Sequence, residues 1–121
     1  MGDQIIAEAL SRFGSVRVTI GLDEGTIVVE RWHLPGSLVE TTGTLSAAEV
    51  ESLRVLAAAV RQDEQALVRG DFYRDGKKRL RLRLGDRRIE IHNDSDRIDT
   101  PAAGPLLRRC YELADRAAPW R

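Results

Sequence analysis

RLRLRLGDRRIEIH, residues 79 to 92, is the stretch that decides the fold class. Leu80, Leu82 and Leu84 alternate with Arg79, Arg81 and Arg83, and after Gly85-Asp86 the alternation resumes with Ile89 and Ile91 between Arg88, Glu90 and His92. Strand side chains point to opposite faces with a period of two, so this is a β-hairpin with one apolar and one charged face. A two-residue loop at Gly85-Asp86 pairs Leu84 with Arg87, Leu82 with Ile89 and Leu80 with Ile91. The same register sets Arg83 against Arg88, Arg81 against Glu90 and Arg79 against His92. A slip of one residue would put leucine against arginine throughout, so the register is well specified.

Upstream, Ser46-Ala47-Ala48-Glu49 is a capping box, with Leu45 and Val50 placed as a hydrophobic staple. Val50, Leu53, Leu56, Ala57, Val60 and Leu67 then follow helical spacing, which predicts a helix from Ser46 to about Leu67, with Arg54 among the residues left for water. Val16, Val18, Ile20 and Leu22 alternate as a strand, and a turn at Asp23 to Thr26 sets Ile27 opposite Leu22 and Val29 opposite Ile20. The return strand reaches Trp32, but Arg31 and His33 stand where apolar residues belong, which predicts a bulge or a strand end leaving the core. Ser37 to Thr44 reads as a weaker, threonine-rich strand. Asp3 can cap a short N-terminal helix in which Ile6, Ala9, Leu10 and Phe13 share a face, ended by Gly14. Thr100-Pro101 or Gly104-Pro105 opens a last helix carrying Leu106, Leu107, Cys110, Tyr111 and Leu113. The expectation is one α+β domain over residues 1–121: an antiparallel sheet of about five strands packed on two main helices, with a short N-terminal helix.

The totals narrow the function. The 121 residues are 42% hydrophobic, 31% charged and 5% aromatic, and Lys+Arg equals Asp+Glu at 19. A net charge of zero removes the broad basic field that gathers nucleic acid, and scarce aromatics remove a base-stacking platform. The single cysteine, Cys110, excludes an internal disulfide and a cysteine-based zinc cluster. No run approaches a membrane span, and MGDQIIAEALSRFG has no signal-peptide core, so a soluble cytoplasmic protein is expected.

Candidate sites are few. Arg79, Arg81, Arg83 and Arg88 share the outer face of the hairpin, with same-face neighbours about 7 Å apart. Such a row can grip phosphates or an acidic protein surface through planar guanidinium forks, or can merely keep a strand soluble and unaggregated. Trp32 with His33, ahead of Leu34-Pro35-Gly36, is either an interface anchor or a lid on the core. His92 beside Asp94 or Asp96 is the minimum for proton transfer. The oxygen-rich run from Asn93 to Asp99 fails as a calcium loop, because its sixth and twelfth places hold Ile98 and Gly104. Cys110 lies on the apolar stripe of the last helix, where burial opposes nucleophilic use. No catalytic, metal-binding or cofactor motif is present.

The order of elements resembles emfourin, a small bacterial domain that inhibits thermolysin-like metallopeptidases. The likeness covers residues 15 to 117: a strand pair, the turn into LSAAEVESLRVLAAAV, the hairpin RLRLRLGDRRIEIH and the closing helix PLLRRCYELA. It lies in element order and residue texture, the N-terminal IIAEALSRF falls outside it, and no inhibitory residue carries over. The resemblance implies a non-enzymatic inhibitor whose partner is another protein. From the residues themselves the expectation is a protein-binding module without cofactor or metal, contacting its partner through Arg79, Arg81, Arg83, Arg88, Trp32 and His33. The alternative is a local anion or nucleic-acid binder built on the arginine row.

Overall fold

The leucine–arginine hairpin forms in the register its pattern predicts, and it occupies one end of a larger sheet. The computed structural model describes residues 2–11, 14–33, 36–60, 77–93 and 103–118. The elements run β1 (Gln4–Ser11), β2 (Gly14–Gly21), β3 (Thr26–His33), β4 (Ser37–Thr44), α1 (Ala47–Ala58), β5 (Lys77–Leu84), β6 (Arg87–Asn93) and α2 (Ala103–Ala117). Among the described residues the six strands form one antiparallel sheet in the order β4-β3-β2-β1-β5-β6. The architecture is α+β.

Residues 4 to 11 correct the expected N-terminal helix and raise the strand count from about five to six. They form β1, paired with β2 on one side and β5 on the other. Ile6, on the face away from the helices, breaks the strict apolar–polar alternation, so Ile5-Ile6-Ala7 hid the period of two. In the fold Ile5 and Ala7 are fully buried against the helices, while Ile6 and Glu8 face the other way. Hydrogen-bond ladders on both sides outweigh the poor strand preference of alanine.

Asp3 is accordingly no helix cap but a clamp. Its carbonyl accepts from Leu22 N–H at 3.0 Å, and its carboxylate accepts from Gly85 N–H at 2.9 Å and Arg54 Nη1 at 2.8 Å. Arg54, expected in water, also donates to Asp23 Oδ1 at 2.8 Å, so one guanidinium joins the chain start, the β2–β3 turn and α1. The Gly85 amide first, and then Arg54, hold the Asp3 carboxyl below the usual carboxylate range. Gly85 sits at φ +59, a left-handed conformation that suits glycine in the hairpin turn.

The β2–β3 register differs from expectation by two residues. Ile20 pairs with Ile27 and Val18 with Val29, because the loop is Leu22 to Gly25. Gly25, at φ +69, closes that loop by donating to the Gly21 carbonyl at 2.9 Å. A two-residue shift leaves every side chain on its predicted face.

The expected bulge at Arg31 is absent: pairing continues through Val16–Arg31 to Gly14–His33. Arg31 instead turns toward the helices, only 6% exposed, and reaches the end of α2. Its Nη2 donates to Asp115 Oδ1 at 2.9 Å and its Nη1 to the Ala118 carbonyl. A cation there satisfies carbonyls that the last helical turn leaves unpaired.

The capping box at Ser46 and Glu49 is formed, with Glu49 N–H donating to Ser46 Oγ at 3.1 Å and Ser46 N–H to Glu49 Oε1 at 2.8 Å. Helix α1 ends at Ala58, and the predicted stripe beyond Val60 lies outside the described residues. Arg87 Nη2 donates to the Val60 carbonyl at 2.8 Å and ties the hairpin to the end of α1. Pro105 sits in the first turn of α2, where its missing N–H costs nothing. Both helices lie on one face of the sheet, and Leu53, Ala57, Leu106, Cys110 and Leu113 pack there against Ile5, Val18, Ile20, Ile27, Leu80 and Ile91.

A candidate interface on the helix-free face of the sheet

With the helices on one face, the period of two assigns the other. Gln4, Ile6 and Glu8 of β1, Arg17 and Thr19 of β2, Val28, Glu30 and Trp32 of β3, and Arg79, Arg81, Arg83 and Arg88 of the hairpin belong to it. Among the described residues no helix covers this face. Every predicted contact residue whose side chain is described therefore shares one surface: Arg79, Arg81, Arg83, Arg88 and Trp32. His33 ends β3 between Gly14 and Ser37, and its side chain lies outside the described residues, as does that of His92. Trp120, Asp94 and Asp96, and the oxygen-rich run past Asn93, lie outside them too.

The arginine row is not a bare stripe of positive charge. Arg81 lies between two carboxylates, with Glu8 at 3.9 Å and Glu90 at 3.8 Å. Glu8, itself 8% exposed, also meets Arg17 at 3.4 Å, and Arg17 meets Glu30 at 3.7 Å. Acid and base thus alternate across the sheet from β6 to β3. Glu8 and Arg17 are not among the predicted site residues, because a helix over residues 4 to 11 hides that Glu8 lies beside Arg17. Its cross-strand partners Arg17 and Arg79 become visible only once β1 lies between β2 and β5.

Among the described residues, two hollows lie on this face. One, about 340 Å³, is lined by Gln4, Ile6, Arg81, Arg83, Arg88 and Glu90 together with Leu82 and Ile89. The other, about 310 Å³, is lined by Glu8, Ser15, Val16, Arg17 and Trp32. There the Arg17 guanidinium stands over the Trp32 ring, 5.3 Å from its centroid, a cation–π contact. Trp32 pairs across the ladder with Leu38, which is 52% exposed at the sheet edge. The arginine cleft draws on β1, β5 and β6 and the tryptophan hollow on β1, β2 and β3, so the two predicted patches share a face and strand β1 but no lining residue.

Chemistry is sparse on the covered side. Cys110 is fully buried, and burial pushes its thiol up to about 12. Burial likewise raises the Tyr111 hydroxyl, which has no hydrogen-bond partner among the described residues. Neither group presents a reactive form to a substrate at neutral pH. No group of three or more His, Cys, Asp or Glu side chains gathers as a metal site among the described residues. No helix among them is long and apolar enough to cross a membrane.

No protein-family model matches this chain, and no curated protein matches it.

Proposed function

We propose that this protein is a non-enzymatic binding module of the cytoplasm that recognises another protein through the helix-free face of its sheet. The observation that carries this reading is the Trp32 cluster: an aromatic ring stacked under Arg17, paired with the exposed Leu38 and bordered by a hollow. Tryptophan and arginine are the side chains most enriched where a few residues dominate a protein interface. Inhibition of a thermolysin-like metallopeptidase is the most specific form of the reading, and it rests on the resemblance in element order alone.

Capture of partners from the source cells tests the surface. A partner held by the parent chain and by Val55→Thr, a change on exposed α1, but lost from Trp32→Ala with Leu38→Thr, would support it. Equal retention by the double variant would remove this face from the function. Titration of thermolysin activity with the pure chain tests the inhibitor form directly.

A further inference from the structure

We propose that two copies of this chain join through strand β4, edge to edge and antiparallel, about a two-fold axis at Thr41. Such a dimer is independent of the partner reading above. The two outer strands of the sheet differ in chemistry. Strand β6 carries Arg87, Arg88 and Glu90, whereas Ser37–Thr44 has a single charge, Glu40, and no lysine, arginine or proline. Outer strands are ordinarily kept from pairing by charges, proline, bulges or short length. Strand β4 has none of these protections beyond Glu40: it is eight residues long, and its ladder with β3 runs unbroken from Thr26–Thr44 to His33–Ser37. The chain is described on both sides of it, at Gly36 and Leu45. Among the described residues β3 is its only strand neighbour, and Leu38 and Val39 are 52% and 53% exposed.

The residues of the strand select a second copy and its register. Only alternate residues of an outer strand turn their N–H and C=O outward, so a two-fold axis passes through one residue, which then faces its own copy. At Glu40 the axis would set carboxylate against carboxylate. At Val39 it would run Thr42 to Thr44 past the end of the opposite strand. At Thr41 it pairs Leu38 through Thr44 of both copies: Leu38 with Thr44, Val39 with Gly43 and Glu40 with Thr42. Threonine then meets threonine at the axis, a favourable cross-strand pair, and each carboxylate faces a hydroxyl. On the helix side Gly43 leaves a bare strip, where a Cβ would stand 3.6 Å from the Ala117 Cβ. The Val39 side chain of the second copy lies opposite that strip and is covered by Ala117.

The test is sedimentation of the full chain over a range of concentrations, with circular dichroism to confirm that each variant is folded. Mass should rise from one chain to two as concentration increases. Val39→Lys should weaken association by about tenfold or more. Thr42→Glu, at an exposed position, sets like charges opposite each other twice per dimer and should weaken it by about fivefold. Adding Glu40→Lys to that variant should restore association, and Val55→Thr on α1 should leave it unchanged. Because Cys110 is fully buried, mild oxidation should cross-link Thr41→Cys, which faces itself, and not Thr44→Cys, which faces Leu38. A chain that is monomeric at every concentration, or a dimer that both Val39→Lys and Thr42→Glu leave intact, would overturn the proposal. A monomer whose Thr42→Glu variant no longer captures a cellular partner would overturn it in favour of that partner at the same edge.

Discussion

The two faces of this sheet treat arginine in opposite ways. On the helix side Arg31 is nearly sealed from solvent and ends in contact with Asp115 and the Ala118 carbonyl at the close of α2. On the helix-free side Arg81 is 46% exposed and meets Glu8 and Glu90 only at 3.9 and 3.8 Å. A charge taken out of water has to be satisfied by geometry, because an unpaired one costs several kcal/mol. A charge left in water is already solvated, so its pairs stay long and weak. The covered face therefore uses Arg31 to hold structure, whereas on the open face Arg81 stays half in water in long pairs.

The largest effect comes from moving a charge to the wrong face. Leu82 is 4% exposed opposite Ile89, so Leu82→Asp buries an unpaired carboxylate and should cost upwards of about 4 kcal/mol, unfolding the domain. Loss of the cooperative thermal transition is the expected observation. A folded Leu82→Asp protein would mean that the face is not sealed.

A smaller effect separates the two arginines. Arg31→Ala should lower stability in urea by about 2–3 kcal/mol, through lost charge-assisted hydrogen bonds and lost packing of its stem. Arg81→Thr keeps strand preference and removes only long surface pairs, so it should change stability by less than about 1 kcal/mol. Equal losses would break the contrast between the faces.

The smallest effect lies at the rim, where the helices meet. Glu49 accepts from Arg116 of α2 as well as from Ser46, and these contacts, Arg116 first, lower its carboxyl from 4.5 to about 2. A lowered carboxyl stabilises the fold fully above its unfolded value, and the contribution is lost as pH falls through the folded value. The Glu49 contribution should therefore be complete above about pH 4.5 and fade toward pH 2. Unfolding curves over that range should be flatter in Glu49→Gln than in the parent chain, and parallel curves would dismiss the pair.

What was legible in the chain was local. The hairpin register, the capping box, the threonine-rich β4 and the apolar faces of β2 and β3 all follow from patterns a few residues long. The β2–β3 register was missed by two residues because the turn residues permit two loops, and only the Gly25–Gly21 closure chooses between them. The arginine row was legible as a face, and its neutralisation by Glu8 was not, since Glu8 is separated from Arg81 by more than half the chain.

The sequence by itself determined which side chains share a face, because a period of two is a property of each strand alone. Only the tertiary structure decided that residues 4 to 11 are a strand, inserted between β2 and β5. In isolation IIAEALS carries helix-compatible residues, and the ladders that hold it extended come from partners distant along the chain. The same insertion turned Asp3 from a helix cap into a three-way clamp, and it carried Glu8 to the centre of the open face. Arg31 likewise reads as a break in alternation until α2 arrives to offer it a carbonyl. Periodicity is a local quantity; the satisfaction of a buried or bridging charge depends on what the rest of the chain brings to it.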